Sequence, residues 1–384
     1  MIGEDAEAPG PGHVLALPPG MERGTLTRLR PTARPWAETS WLAVGVITVV
    51  MLGLPWALTR VDGGNYITHL IITFFVWGIV AQCWNLIMGV SGIYSFGQLA
   101  LFQVGAFTTG VLSFAVGLNP WGSIWAAPIV AVIAALVIGL PTLRLRGIYV
   151  VLLTLAFHEL LRNWITTGPQ WISGGGYGLV RVPKLGFEAV LGPQYEKVFY
   201  YYTGLVFFGL ATYAIWRILN SPIGLAFTAL RDSEDYATSR GVDPFRFKLF
   251  LFAFSAFFTG LAGGFSAHYN GSASTSLFDF GVMINLLVMI VLGGWGTFAG
   301  PIVGTAILTF LTELLRAFDL YRILALGIAM AVIAVAAPEG LVPLCTRAFH
   351  RLFDVFFEPD EPPARETADQ PNPETRSTPR DGDS

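Results

Sequence analysis

The 384-residue chain contains no G-x-x-x-x-G-K-[ST] segment, so it cannot hold ATP in a phosphate loop, and any ATP must be handled by a partner. It also lacks a G-x-S-x-G nucleophile elbow, an H-E-x-x-H zinc helix and any clustered Cys/His ligand set. The five histidines are scattered, and His158-Glu159 is followed by Leu160-Leu161-Arg162 without the second histidine that a zinc helix needs. Of the two cysteines, Cys83 lies within an apolar run and Cys345 just past the last one, a placement that suggests neither a disulfide framework nor a metal site. No catalytic residue, metal or cofactor is therefore expected, and no nucleic-acid partner. Charge is scarce as well: 13% of residues are charged, against about 25% in an ordinary soluble domain.

What is abundant is apolar sequence, at 53% of the chain. A bilayer crossing needs about 20 apolar residues, and such stretches run at 37–58, 66–88, 98–117, 121–140, 148–167, 198–218, 247–269, 282–299, 301–318 and 320–337. The expected fold is all-α: a polytopic membrane protein with about ten transmembrane or re-entrant helices. Gly293, Gly294, Gly296 and Gly300-Pro301 interrupt the stretch from 282 to 318, which leaves open eight or nine full crossings with a re-entrant piece. Arginines before the first span, Arg144 and Arg146, Arg217 to Lys248, and Arg347 and Arg351 all fall on one side of a ten-span chain, which the positive-inside rule makes cytosolic. Arg162, Arg181, Lys184 and Lys197 dilute that bias on the other side. Residues 1–35 read as a disordered cytosolic arm without a cleavable signal, 36–345 as the membrane domain, and 346–384 as a disordered cytosolic tail.

Between two of the spans lies a charged, helix-patterned insert, residues 219–248. Ser221-Pro222 supplies an N-cap hydroxyl and a proline at the first helical position. Ile223, Phe227 and Leu230 fall at i, i+4 and i+7, one apolar face on a helix too short to hold itself in water, so that face needs a partner. A second short helix from Glu234 to Arg240 has acids in its first turn, a base in its last and Gly241 at the left-handed C-cap position.

Within the membrane segments, polar residues are functional candidates because their burial in lipid is costly. Ser95, Gln98 and Gln103 lie within or after the segment from Gly89 to Gly97, where three glycines break the pattern. That break is either a broken helix near a pathway or a tight turn with Gln98 capping the next helix. Glu159 and Arg162, at i and i+3, read as a structural ion pair more readily than as substrate ligands. Asn285 either faces a pathway or bonds a neighbouring helix. His268, Asn270 and Asp279 sit near span ends, where a solvated role is expected. Gly260, Gly263, Gly264, Gly293, Gly294, Gly296, Gly300 and Gly304 have the spacing that lets membrane helices approach closely.

Several of these segments together resemble LivM-type permeases, the membrane subunits of branched-chain amino acid ABC importers. The resemblance is carried by Trp84-Asn85-Leu86-Ile87-Met88-Gly89, Ser95-Phe96-Gly97-Gln98, Leu145-Arg146-Gly147-Ile148-Tyr149, Ser221-Pro222-Ile223-Gly224, Ala229-Leu230-Arg231-Asp232-Ser233-Glu234, Val291 to Thr297 and Gly300 to Gly304, and covers roughly residues 66–342. Asp235-Tyr236-Ala237, followed after three residues by Gly241, resembles a degenerate Glu-Ala-Ala-xxx-Gly loop, the element by which such permeases engage an ATPase. Leu225 and Ser233 stand where the family often has Arg and Asn. The resemblance implies Phe227, Arg231, Glu234, Asp235, Ala237 and Gly241 as coupling residues. It also implies a second permease, two cytosolic ABC ATPases and an extracytoplasmic solute-binding protein as partners in a plasma membrane. The implied substrates are branched-chain or related apolar amino acids, with urea or short amides as the alternative. An ion-coupled secondary transporter is the rival from another class and would need several ionisable groups buried at mid-membrane.

Overall fold

The computed structural model describes residues 41–60, 63–145, 147–170, 174–186, 192, 195–315, 327–328, 331 and 340–344. Both terminal arms and most of the expected tenth span at 320–337 lie outside the described residues. The helices, in chain order, are α1 (Trp41–Leu58), α2 (Gly64–Asn85), α3 (Gln98–Phe114), α4 (Pro120–Thr142), α5 (Ile148–Thr167), α6 (Glu196–Leu219), α7 (Pro222–Asp232), α8 (Glu234–Ser239), α9 (Pro244–Asn270), α10 (Phe280–Gly293) and α11 (Gly300–Leu314). Five of them, α2 with its extension, α4, α5, α6 and α9, are long and apolar enough to cross a membrane, and α3, α10, α11 and the Val49–Leu58 part of α1 are shorter apolar helices.

Helix α2 is the hub. It packs against α6, α9, α10 and α11, and its Phe75 meets Tyr201 of α6 edge-on at 5.3 Å. Its last turn widens into a π-helix, Leu86–Val90, a distortion often found at functional sites. Helix α9 is the second hub and lies against α2, α3 and α4. Small residues face one another there: a methyl group on Gly264 would press to 2.9 Å from Ala127 Cβ of α4. Between apolar helices in lipid, such close backbone contact replaces the hydrophobic drive.

The stretch from 282 to 318, whose number of crossings the sequence leaves open, is divided among the described residues into two short helices. Helices α10 and α11 have 14 and 15 residues, a length of about 21–23 Å at the usual rise, short of a hydrocarbon core of about 30 Å. A loop, 294–299, joins them. The two helices pack on each other where Gly304 lies against the Met289 carbonyl, an approach that a side chain would block.

At the other end of α9, Leu179–Val180 pairs antiparallel with Ser272–Ala273. This ribbon brings 181–185 over the end of α9 and buries His268, which was expected to meet water. The His268 ring bonds Ser123 Oγ at 3.0 Å and the Pro183 carbonyl at 2.6 Å. Asn270 donates to Ser266 Oγ at 3.1 Å, and Asp279 remains half exposed beside Arg162.

Candidate functional site

The insert folds as its caps dictate. Ser221 Oγ accepts from the Ile223 amide at 3.2 Å and Ser233 Oγ from the Tyr236 amide at 3.3 Å, which satisfies first-turn donors of α7 and α8. Gly241 takes φ = 85° as the chain leaves α8, a conformation that glycine adopts without strain. Glu234 ties α8 to α9 through Lys248 at 3.0 Å.

The apolar face of α7 is covered by the chain itself. Phe227 is 1% exposed and stands edge-on to Phe247 of α9 with ring centroids 6.2 Å apart. Leu230 is buried as well, and Ala237 of α8 is 1% exposed. The sequence-based assignment of Phe227 and Ala237 as contacts to another protein is therefore corrected. Their surface is spent on joining α7 and α8 to the helix bundle. The apolar or aromatic side chains left outward are Leu225, 51% exposed, and Tyr236, 59% exposed, with Asp235 also exposed. The Arg240 guanidinium lies 5.4 Å over the Tyr236 ring, a cation–π contact that fixes that ring.

Arg231 leaves the last turn of α7 and reaches the bundle. Its Nη1 donates to the Gly89 carbonyl in the π turn of α2 at 3.2 Å, while Nε pairs with Asp232 at 3.1 Å. Gly89 in turn lies against the 294–299 loop: a Cβ on it would stand 2.6 Å from the Gly296 amide nitrogen. Asn85, one turn earlier, closes the arrangement. Its Oδ1 accepts from the Gly296 amide at 2.9 Å and its Nδ2 donates to the Thr297 carbonyl at 2.8 Å. Three elements thus meet at one point: the end of α7, the π turn of α2 and the loop that divides α10 from α11. Asn85 and Gly89 belong to the segment that resembles the family, but the sequence by itself gives them no role. The signal available was an amide four residues before a run of irregular, glycine-rich backbone.

The polar residues singled out inside the spans separate into fastenings and one lining residue. The Ser95 carbonyl accepts from Trp84 Nε1 at 2.6 Å. Gln98 begins α3 and bonds Ser255 at 2.9 Å and Thr259 of α9. Gln103 Nε2 reaches the Ser274 carbonyl at 3.4 Å, and its buried Oε1 has no partner among the described residues. Gln98 and Gln103 hold α3 against its neighbours, and Ser95 ties the segment before α3 to α2. Glu159 pairs with Arg162 at 3.6 Å, with both side chains well exposed, as the ion-pair reading expects. Asn285 does not join them. It lines a cleft of ≈ 270 Å³ between α2, α10 and α11, together with His69, Thr73, Trp77, Thr309 and Glu313.

A family model described as the permease component of the branched-chain amino acid transport system matches residues 66–337. The chain belongs to this family. It is 30% identical over 320 residues to the high-affinity branched-chain amino acid transport system permease protein LivM of Escherichia coli K12, covering 78% of this chain and 74% of that protein. The LivM of Salmonella typhimurium LT2 gives the same identity and coverage. A probable branched-chain amino acid transport permease protein LivM of Methanocaldococcus jannaschii is 25% identical over 333 residues, 73% of this chain and 94% of that one. No solved structure matches. The chain is thus a polytopic membrane permease, and its matched segment contains the three-way junction, the cleft and the insert.

The junction gives the permease a testable weak point. Asn85→Leu strands the Gly296 amide and the Thr297 carbonyl, each at a cost of about 1–3 kcal/mol if no water replaces the amide. The purified permease is expected to unfold at lower temperature in detergent and to expose the 294–299 loop to protease. Wild-type stability and wild-type loop protection would contradict that role.

Proposed function

We propose that this permease is a membrane subunit of an ABC importer that moves branched-chain or related apolar amino acids by alternating access. In this reading it works beside a second permease, receives substrate from an extracytoplasmic solute-binding protein, and is driven by two ATPases that dock on α7 and α8. The insert end of the bundle faces the cytosol, as its arginines favour, and the chain resides in a plasma membrane with both termini inside.

The observation that carries the proposal is the bond from Arg231 to the Gly89 carbonyl. A helix whose apolar face is locked to the bundle by Phe227 and whose end is bonded into the α2–α10–α11 junction moves with those helices. Force applied to the outward side of α7 and α8, at Leu225, Asp235 and Tyr236, is then delivered to the break between α10 and α11. Glu159 offers little to an ion-coupled mechanism, because it lies exposed and paired with Arg162.

The absence of a phosphate loop sets the test. The chain alone in lipid nanodiscs is expected to bind no nucleotide and hydrolyse no ATP. Vesicles holding it with its co-expressed partner subunits should take up leucine when ATP is supplied. Robust hydrolysis by the chain alone would overturn the assignment.

A further inference from the structure

A second cavity, of ≈ 280 Å³, lies at the end of the bundle where α5 and α9 finish and α10 begins. Its charged groups are Arg162 of α5 and Asp279, and Ser274, Thr275, Ser276 and the exposed Tyr177 stand around them. The wall is firmly built. Gly178 takes φ = 87° and passes so close to the Ala273 carbonyl that no side chain would fit, and Thr275 Oγ1 donates to the Gly176 carbonyl. From α3, Gln103 Nε2 bonds the Ser274 carbonyl at 3.4 Å, and from α5, His158 Nε2 meets the Phe278 carbonyl at 3.0 Å.

The polar groups facing this cavity are only partly spent. Arg162 stands 3.6 Å from Glu159 and 3.4 Å from Asp279, both beyond the roughly 2.7–2.9 Å of a tight charge-assisted bond. All three side chains are well exposed, and such pairs are worth little. The guanidinium keeps donors that neither contact uses. Asp279 occupies the N-cap of α10, yet its side chain caps nothing, whereas Asp243 at the start of α9 accepts from the Phe245 and Arg246 amides. Ser274 and Ser276 share one hydroxyl–hydroxyl bond at 2.7 Å, which leaves one of the two hydroxyl protons for a ligand.

The depth of the cavity points to lipid. Helix α5 has 20 residues, about 30 Å at the usual rise, which matches a hydrocarbon core. Arg162 is within about 8 Å of its end, where a long side chain snorkels into the headgroup layer. Tyr177 at the cavity and Trp164 on the same turn of α5 as Arg162 are exposed aromatics, the residues that a membrane interface favours. Deeper along α5 and α10, Leu160, Phe280 and Ile284 are exposed and apolar.

We infer that this cavity holds the headgroup of phosphatidylethanolamine. The Arg162 guanidinium and one hydroxyl of the Ser274–Ser276 pair donate to the phosphate, the Asp279 carboxylate accepts from the primary ammonium, and the acyl chains lie along Leu160, Phe280 and Ile284. The site requires only that the chain lies in a membrane, so it stands apart from the energy source and the substrate. Arg162, Glu159 and Asp279 carry one net negative charge, which repels an anionic headgroup that lacks an ammonium. A quaternary ammonium has no N–H to give Asp279.

The test is native mass spectrometry of the full-length permease, delipidated in mild detergent and titrated with phosphatidylethanolamine, phosphatidylcholine or phosphatidylglycerol of identical acyl chains. The first phosphatidylethanolamine is expected to bind about tenfold more tightly than either other lipid, the factor that one charged hydrogen bond commands. Asp279→Asn should erase the preference over phosphatidylcholine, and Arg162→Gln should weaken all three lipids. Arg246→Gln, on an exposed side chain at the insert end, should change neither. Size-exclusion chromatography checks that each variant is folded, as substitutions of exposed side chains should be. Equal affinity for the three lipids would mark ordinary annular lipid and overturn the site, as would a preference that survives both Asp279→Asn and Arg162→Gln. Free phosphoethanolamine is expected to displace the lipid only in large excess, and L-leucine not at all. Displacement by leucine, or by phosphoethanolamine at concentrations equal to the lipid's, would make the cavity a site for a soluble solute and overturn the inference.

Discussion

Phe227→Asp is expected to remove α7 from the bundle and to lower the yield of folded protein severely. The ring is 1% exposed and packed on Phe247, and deleting a buried phenylalanine costs about 3–5 kcal/mol before any charge is buried. The aspartate adds a carboxylate with no partner in an apolar site, and the site escapes that penalty only by opening. A loss of this size is a large part of the roughly 5–15 kcal/mol that holds a typical domain together. The paired control is Leu225→Asp, which alters the half-exposed face of the same helix. Leu225→Asp should fold normally and lose the ATPase, whereas Phe227→Asp should aggregate or become protease-sensitive between residues 221 and 243. Size-exclusion chromatography and limited proteolysis read both outcomes. Normal folding of Phe227→Asp would mean that the ring is not the fastening described.

Arg231→Ala is expected to leave the fold intact and to uncouple it. The guanidinium contributes one bond to the Gly89 carbonyl and one contact with Asp232 at the surface. The surface pair is worth little, and a bond from a charged donor to a carbonyl is worth about 1.5–3 kcal/mol. Stability should therefore change modestly. Transmission should change far more, because no other side-chain hydrogen bond among the described residues joins α7 to the π turn of α2. Arg231→Lys should rescue incompletely, since a single ammonium cannot reproduce the planar fork that serves Asp232 and Gly89 at once.

Much of this architecture was legible in the sequence. Apolar runs of about 20 residues gave most of the membrane helices, and Ser221-Pro222 and Gly241 marked the start of α7 and the end of α8 where the structure has them. The i, i+4, i+7 pattern of Ile223, Phe227 and Leu230 announced a buried face, but a hydrophobic period does not say which surface covers it. The chain's own α9 does so, and this reversed the expected role of Phe227. The glycines from 293 to 304 signalled a disturbance, yet hydropathy alone could not separate two full crossings from two short helices meeting at a loop. Gln98, at the end of the glycine-broken segment, and Asn285, alone in apolar sequence, were both amides whose role the sequence left open. One is a clasp between α3 and α9 and the other lines a cleft, a difference set by tertiary neighbours. The junction was least visible, because Asn85, Arg231 and Gly296 are far apart in the chain and nothing local announces that they meet.

The central claim is that work done at α7 reaches the α10–α11 break through Arg231. The most direct measurement is the number of leucine molecules taken up per ATP hydrolysed by the complete transporter in vesicles, compared between wild type and Arg231→Ala. The account predicts that Arg231→Ala keeps its ATPase subunits and continues to hydrolyse ATP, while leucine moved per ATP falls by about tenfold or more, the factor that one charged hydrogen bond commands. An unchanged ratio, with uptake and hydrolysis either both normal or both lowered in step, would contradict it.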